Sequence, residues 1–249
     1  MPFKAEQGNE RIGEIWFDPP PELNQLLVKY IFTSQPLSVQ VHPSDHQTII
    51  DGLGCQGKEE CWLIVDAEPA AKIGIGFTGN IDADDMRSAA LDGSIEGLLS
   101  WHQAKVGDFF YIPANTVHAI GGGISLIEVQ QNSDITYRLY DYGRSRELHL
   151  EKGVAVAKGA RHDRSLQMRL TESGNQTLVE GPFFRLDRLD GRIGSGVRKR
   201  YAGSLLVIPQ EGSASVAGER LAPGQCALAG SIEQLELQSG AKVLVAQSL

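Results

Sequence analysis

Two polar residues on one strand-like segment are the first candidates for chemistry. In LSVQVHP, residues 37–43, the alternation of side chains along a strand puts Gln40 and His42 on one face and Val39 and Val41 on the other. A polar pair that faces the interior of a β structure costs free energy unless its hydrogen bonds are satisfied or it binds an ion. The segment therefore predicts either two metal ligands or an ordinary solvated strand face.

A second histidine follows a characteristic turn. The segment GDFFYIPANTVH, residues 107–118, is a glycine turn, a strand and then a proline-bearing turn that ends on His118. The turn brings His118 back toward the β structure from which the strand came. We therefore expect His118 to lie near the inward face of the sheet.

A carboxylate completes the set of candidate ligands. Glu60 begins another strand-like run, in which alternation places it on one face with Trp62 and Ile64 and places Glu59 on the other. We expect Glu60 to point inward with its apolar neighbours. The alternative is a surface carboxylate at the edge of a strand.

The turn that ends on His118 resembles the second motif of the cupin superfamily, G(x)5PxG(x)2H. Asn115 stands where that family usually has glycine, and asparagine tolerates a positive φ nearly as well. The first cupin motif normally carries a histidine pair, whereas this chain has Gln40 and His42. A helical insertion of 17 residues separates His42 from Glu60.

Four segments in the same order resemble the type I mannose-6-phosphate isomerases. They are QVHP at residues 40–43, GKEECW at 57–62, PANTVHAI at 113–120 and EVQQNSDITYRLYD at 128–141. The resemblance covers about residues 12–156, and the later part of the chain matches only in general layout. Two features depart from the family: the chain begins close to the first matching strand, and it has no room for the large helical insertion of the bigger members.

The resemblance implies that Gln40, His42, Glu60 and His118 hold a zinc ion. Two neutral imidazoles and one carboxylate are ordinary zinc ligands. A neutral amide oxygen in the fourth place leaves the site with a net charge of about +1. Such a charge suits an anionic sugar phosphate.

The resemblance also marks Lys29, Lys58, Glu128 and Arg138 as active-site positions. Lys29, Lys58 and Arg138 would bind the substrate, the arginine through a planar fork and the lysines as point charges. Glu128 is a candidate for part of the proton relay, with Lys58 or a metal-bound water as the alternatives. Taken singly, each of the four is explained equally well as a surface charge.

The function that the resemblance implies is a zinc-dependent aldose–ketose isomerase. It would interconvert mannose 6-phosphate and fructose 6-phosphate by proton transfer through an ene-diol(ate). Two other classes remain open: a cupin metal-dependent oxygenase, whose sites usually favour more histidines, and a non-catalytic sugar-binding cupin. No nicotinamide or flavin motif is expected, because the isomerisation requires no redox cofactor.

Short β-branched or aromatic runs, separated by Gly, Pro, Asn and Asp, indicate a mainly β chain. They predict strands at residues 26–33, 38–42, 60–66, 71–77, 108–112, 124–130 and 135–140. Helical patterns begin at Ser44, where Gln47 completes a capping box, and cover about residues 82–101, with a break at Gly93, and 148–157. Together with the resemblance they predict a cupin jelly-roll barrel with short helical insertions.

The later part of the chain predicts a second, smaller β unit. Strand-like runs recur at residues 183–189, 204–209, 213–217, 225–229, 234–238 and 242–246. None of the 6 histidines lies there, so a metal site of three or four ligands is not easily built. We predict a metal-binding catalytic domain at residues 1–157, a linker at 158–175 and a smaller cupin-like domain without a metal site at 176–249.

Composition excludes several classes of function. The 249 residues carry a net charge of −8, and no basic run outweighs it, which makes nucleic acid an unlikely partner. The first ten residues contain no apolar export signal, and no apolar run is long enough to cross a bilayer. The 3 cysteines follow no CxxC spacing. We therefore predict a cytoplasmic protein with reduced thiols, and the resemblance implies a small phosphosugar as its partner.

Overall fold

The computed structural model describes residues 12–249. Of these, Tyr30–Arg169 form one compact unit, here the larger unit, while residues 12–29 and 170–249 form another, the smaller unit. The predicted absence of an export signal concerns the first ten residues, which lie outside the described range. Within that range no helix is long and apolar enough to span a membrane.

Two sheets build the larger unit. Its strands are β2 (Leu26–Thr33), which begins in the smaller unit, β3 (Val39–Val41), β4 (Glu60–Ala67), β5 (Lys72–Phe77), β6 (Leu99–Gln103), β7 (Asp108–Ile112), β8 (His118–Ile120), β9 (Ile124–Gln131), β10 (Tyr137–Tyr140) and β11 (Gln167–Arg169). The first sheet has the order β2-β9-β4-β7-β11, and the second has the order β10-β3-β8-β5-β6. The strand β4 pairs antiparallel with β7 and β9, and β5 pairs antiparallel with β6 and β8.

An apolar core fills the space between the two sheets. It joins Trp62 and Ile64 of the first sheet to Ile73, Ile75 and Ile120 of the second. All of these side chains are nearly or fully buried. Sheets that pack face to face in this way interdigitate their inward side chains, so any polar residue on an inner face lies in a dry environment.

Helices cover the other face of the second sheet. The larger unit contains α1 (Asp45–Ile50), α2 (Ala83–Asp92), α3 (Ile95–Leu98) and α4 (Leu150–Val156). Val39 and Val41 of β3 pack in one cluster with Leu139 of β10, with Met86 of α2 and with Val154 of α4. The outer face of β3 is therefore apolar, and its inner face is left to Gln40.

The smaller unit is also built of sheets. Its strands are β1 (Glu14–Phe17), β12 (Gln176–Glu180), β13 (Phe184–Asp190), β14 (Leu205–Glu211), β15 (Ala214–Val216), β16 (Glu219–Leu221), β17 (Ala227–Ala229), β18 (Leu235–Leu237) and β19 (Lys242–Ser248), with one helix, α5 (Ser195–Arg200). Five strands form a sheet of order β12-β13-β19-β14-β17, and three form β16-β15-β18. Their shared core contains Leu189, Val207 and Val245.

The pattern-based assignments fail at particular elements. The predicted break at Gly93 is present, since α2 ends at Asp92, Gly93 has φ 84° and α3 follows at Ile95–Leu98. The last residues of the predicted helix 82–101 form β6 instead. Leu99 and Trp101 alternate into the core beside α2, which a strand allows and a continued helix does not. The strands β1, β8, β11, β12 and β16, and the helix α5, were not predicted, because runs of three to six residues carry too little periodicity.

The predicted domain limits of 1–157 and 176–249 stay a prediction, since compact units do not by themselves show which segments fold independently. The intervening polar stretch is not structureless. It contains a 3-10 turn at Arg164–Leu166 and the strand β11, which pairs with β7.

Residues 160–162 pack closely against Gly76, at the end of β5. Its φ is +63°, and a Cβ there would lie 2.6 Å from the backbone nitrogen of His162. We expect Gly76→Ala to lower the free energy of unfolding by about 2 kcal/mol or more, from left-handed strain and overpacking together. Chemical denaturation measures the change.

Gly79→Ala is the matched control, because no atom lies within 4 Å of the added Cβ and φ is not in the left-handed region. Equal stability of the two variants would contradict the close packing at Gly76.

Candidate metal and substrate site

Two histidines present the same ring nitrogen to one point inside the larger unit. Nδ1 of His42 lies 2.9 Å from the carbonyl oxygen of Ile135, and Nδ1 of His118 lies 2.9 Å from that of Thr116. A ring nitrogen beside a carbonyl oxygen carries the proton and donates it. The other nitrogen, Nε2, then has a lone pair directed toward the site, which is the tautomer that a metal ligand needs.

Glu60 lies between the two imidazoles. Its Oε2 is 3.6 Å from Nε2 of His42, and its Oε1 is 3.3 Å from Nε2 of His118. The residue is fully buried, so the prediction of an inward Glu60 is consistent with the structure. One ligand atom from each of the three residues lies within 4.8 Å of the others, and the group could hold a metal ion.

Burial keeps the second imidazole neutral. Burial, together with the positive charge of Lys58, lowers the pKa of His118 to about 4, although the hydrogen bond to the Thr116 carbonyl and the charge of Glu128 act in the opposite direction. His118 is therefore a neutral imidazole at pH 7. Neutral imidazole is the form that binds metals.

Gln40 reaches the same point through strand pairing. The register of β3 and β8 sets Gln40 directly opposite His118, and the amide Nε2 lies 3.2 Å from Nε2 of His118. The amide oxygen accepts a hydrogen bond from Ser38 Oγ at 3.1 Å. The oxygen and nitrogen of an amide are nearly alike in shape, so a half-turn of the amide exchanges these two contacts and directs the oxygen to the site.

A buried lysine and a second carboxylate adjoin the group. The Lys58 ammonium lies 2.7 Å from Oε2 of Glu60 and 3.8 Å from Oε1 of Glu128. Trp62 Nε1 donates to the other oxygen of Glu128 at 2.9 Å. Two carboxylates and one ammonium leave a charge of −1, so a divalent cation brings the set to +1. A region of this charge attracts an anionic substrate.

The turn before His118 is tied to the strand that carries His42. Asn115 has φ 70°, in line with the expectation that it replaces a cupin glycine. Its backbone nitrogen donates to the His42 carbonyl at 2.8 Å, and its side chain donates to Oε1 of Gln47. Gln47 also accepts from the backbone nitrogen of Ser44, which is the predicted capping interaction at the start of α1. These bonds fix the distance between the two histidines.

Glu59 faces away from the ligand group, as alternation predicted. It is half-buried and accepts a hydrogen bond from the hydroxyl of Tyr111. Burial raises its pKa, which the bond from Tyr111 partly offsets. The two adjacent glutamates therefore occupy opposite faces of β4, and only Glu60 reaches the interior.

Arg138 lies on the inner face of the second sheet. Its Cα is opposite that of Gln40 in the β10–β3 pairing, while its neighbours Tyr137 and Leu139 pack in the outer cluster. The guanidinium Nη1 donates to the Glu147 carbonyl at 2.6 Å. Burial, and then the nearby positive charge of Arg146, lower the pKa of Arg138.

Two arginines near Arg138, Arg144 and Arg146, are not among the site residues predicted from the sequence. Arg144 and Arg146 both donate to the buried carboxylate of Asp141, at 2.7 Å and 2.5 Å. These bonds lower the pKa of Asp141 although burial raises it. The signal was the segment DYGRSR, in which a turn with left-handed Tyr142 brings the two arginines back to the aspartate.

Lys29 is the one candidate that falls outside the larger unit. It is a buried residue of β2, and its ammonium lies 3.9 Å from the ring centroid of Trp16. This is a cation–π contact, which stabilises a partly desolvated ammonium. Its predicted substrate-binding role stays a prediction.

The sequence is similar to those of proteins described as mannose-6-phosphate isomerases. The chain is 38% identical over 212 residues to the mannose-6-phosphate isomerase ManA of Bacillus subtilis, covering 80% of this chain and 65% of that protein. It is 35% identical over 191 residues to the mannose-6-phosphate isomerase of Streptococcus mutans, covering 74% of this chain and 59% of the relative. No family model matches the chain.

Solved structures agree with the sequence comparison. The mannose 6-phosphate isomerase of Bacillus subtilis superposes with a TM-score of 0.69 at 28% identity, over 90% of this chain and 75% of the other. The apo enzyme of Salmonella typhimurium superposes with a TM-score of 0.66 at 15% identity, over 90% and 79%, and shows the fold alone. This chain is a relative of the mannose-6-phosphate isomerases.

The resemblance and the mainly β, cupin-type fold predicted from the sequence are thereby confirmed. The chain spans between 54% and 65% of the length of the curated relatives that it matches. The activity of the whole relatives is therefore taken up below as a proposal.

His118→Ala is the direct test of the three-residue group. We expect the affinity for the metal to fall at least tenfold, because a factor of ten corresponds to about 1.4 kcal/mol and the loss of one donor atom costs more than that. Elemental analysis after dialysis at a free metal concentration that half-saturates the wild type measures the metal retained.

His46→Ala serves as the control, since His46 is an exposed residue of α1 outside the group. Wild-type metal occupancy in His118→Ala would remove His118 from the set of ligands.

Proposed function

We propose that this chain is a zinc-dependent mannose-6-phosphate isomerase that interconverts mannose 6-phosphate and fructose 6-phosphate. The carrying observation is the buried carboxylate of Glu60 between two imidazoles, with Lys58 and Glu128 beside it, in a relative of proteins named for this reaction. We further propose that the protein is cytoplasmic and that a phosphosugar is its small-molecule partner.

The proposed metal ligands are Gln40, His42, Glu60 and His118. The donor set fits a zinc ion: two neutral nitrogens, one carboxylate and one amide oxygen, enclosed in a dry interior. When bound, the ion supplies Lewis-acid polarisation of the substrate carbonyl. An oxygenase would be expected to carry more histidines, and within residues 12–249 no other group of three such ligands accompanies this one.

The isomerisation moves a proton between two neighbouring carbon atoms, passing through an ene-diol(ate). Glu128 is the proposed base, because its carboxylate is buried, is held by the Trp62 indole and lies beside the ammonium of Lys58. Lys58 can hold a proton at Nζ or stabilise negative charge on a substrate oxygen. The buried position of both groups excludes water from the proton that is transferred.

Arg138 is the proposed group for the substrate's negative charge. It shares the inner face with Gln40, and Arg144 and Arg146 add positive charge beside it. Lys29 is proposed as a further substrate-binding cation. A non-catalytic sugar-binding protein would bind the sugar without needing both Glu128 and Arg138.

A coupled assay that detects fructose 6-phosphate formed from mannose 6-phosphate tests the function. We expect turnover by the purified protein, loss of turnover after chelation and recovery on addition of zinc. The fold should persist in the chelated protein, because the sandwich has its own apolar core and does not depend on metal as a zinc finger does.

Circular dichroism on the same samples separates loss of metal from loss of fold. A zinc-loaded, folded protein without turnover would favour the sugar-binding alternative. Iron or manganese in place of zinc in the purified protein, again without turnover, would favour an oxygenase-type centre.

Arg138→Lys distinguishes two roles for this residue, since lysine keeps the charge and loses the planar fork. If Arg138 binds charge that grows during the reaction, kcat should fall by about tenfold or more. If it binds only the phosphate, KM should rise instead, because that interaction is equal in the ground state and the transition state.

Metal content and melting temperature are measured alongside the kinetics and should stay near wild type. Loss of either would make Arg138 a structural residue and withdraw its assigned role.

A further inference from the structure

A second polar cleft lies at the open edge of the larger unit, built from residues that the proposed isomerase reaction does not use. It has a volume of about 350 Å³ and is lined by Thr78, Ser100, His102, Arg161, Arg164 and Gln167, among others. β6 is the edge strand of one sheet and β11 that of the other. The chain between residues 158 and 167 runs along this edge and forms one wall of the cleft.

Backbone contacts hold that wall in place. Gly76 and Arg161 form an antiparallel bridge, and the nitrogen of Phe77 donates to the Ala160 carbonyl at 3.0 Å. His162 donates from Nε2 to the Tyr111 carbonyl at 2.8 Å and accepts at Nδ1 from the Gln167 amide at 2.9 Å. Both ring nitrogens of His162 therefore make hydrogen bonds, which hold the neutral ring in place.

The two arginines of the cleft bring positive charge that no carboxylate of the cleft neutralises. Nε of Arg161 donates to the Thr78 carbonyl at 2.7 Å, which fixes the guanidinium and leaves its terminal nitrogens without a recorded partner in the described chain. The Arg164 carbonyl accepts from the backbone nitrogen of Gln167, while its guanidinium makes no hydrogen bond or ion pair with a residue in the range 12–249. The Asp163 carboxylate caps the backbone nitrogen of Ser165 at 2.8 Å.

Neutral hydrogen-bonding groups face the same space. His102 and Ser100 project from one face of β6, with Nε2 of His102 3.4 Å from Oγ of Ser100. Arg164 and His102 line the same cleft. Burial, and then the positive charge of Arg164, lower the pKa of His102. A second cavity of about 380 Å³ shares His102 and Gln167 with the cleft, so there is room for a substituent on a bound anion.

We propose that this cleft binds a phosphate dianion, held by the guanidinium groups of Arg161 and Arg164 with Ser100 and His102 as neutral hydrogen-bonding partners. Guanidinium groups match the geometry of phosphate oxygens and bind them through paired, charge-assisted hydrogen bonds. Free phosphate and the phosphate of a small ester share this chemistry. The site is separate from the Glu60 group and does not depend on the proposed isomerase activity.

The test is a titration of the metal-loaded protein, followed by NMR of the histidine ring signals, with inorganic phosphate and fructose 6-phosphate as separate probes. The His102 signal is assigned by its disappearance in His102→Gln. We expect both probes to shift this signal in the wild type, and the tighter of the two identifies the occupant as free phosphate or an ester.

Arg164→Gln should weaken the phosphate-dependent shift of His102 at least tenfold. Its side chain makes no recorded contact that folding would lose, so its melting temperature should match wild type. Arg161→Gln should weaken binding as well. Arg220→Gln is the matched control, because Arg220 is an exposed arginine of β16 in the smaller unit, and binding should be unchanged.

Equal phosphate binding in Arg164→Gln and wild type would overturn the proposal. Shifts confined to His42 and His118 would also overturn it, since the anion would then bind at the Glu60 group alone. Failure of the isomerase assay would leave these results untouched, because the readout is binding at His102.

Discussion

The burial of one carboxylate is the constraint on which the rest of the larger unit depends. Glu60 is fully enclosed between two sheets, where an isolated charge would cost several kcal/mol. The Lys58 ammonium at 2.7 Å compensates part of this charge, whereas the two neutral imidazoles direct their Nε2 lone pairs toward the same point. A divalent cation would compensate more of it. The interior therefore has a polar end at this group and an apolar remainder around Trp62 and Ile64.

The second sheet can supply polar groups to this interior because its other face is apolar. Val39, Val41 and Leu139 pack against the helices α2 and α4, which anchors β3 and β10 without any contribution from their inner side chains. Gln40 and Arg138 alternate with these residues and take no part in this apolar cluster. Stability and chemistry are thus assigned to opposite faces of the same two strands.

Hydrogen bonds to backbone carbonyls determine which ring nitrogen of each histidine faces the site. Ile135 and Thr116 each accept from an Nδ1, so both rings expose the same nitrogen to the site. The Asn115 turn and the Gln47 cap connect the chain segments that carry the two rings. Orientation of this kind limits the rotation of each ligand and favours metal binding at a defined geometry.

The sequence by itself determined which side chains share a face of a strand. Alternation with a period of two placed Gln40 apart from Val39, Glu60 apart from Glu59, and Arg138 apart from Leu139, since successive side chains of a strand must point to opposite faces. The helical pattern gave the wrong prediction for Leu99 and Trp101. Their strand conformation depends on packing in one cluster with residues of α2.

Only the tertiary structure decided which faces meet. The register that sets Gln40 opposite His118 joins residues 78 positions apart. The contact of Lys58 with Glu128 likewise joins distant segments, and short-range periodicity encodes neither. The cleft of Arg161 and Arg164 arises in a stretch that its composition predicted to be a linker. Its shape depends on two sheet edges far apart in the chain, and such long-range contacts are fixed by packing of the whole unit rather than by any local segment.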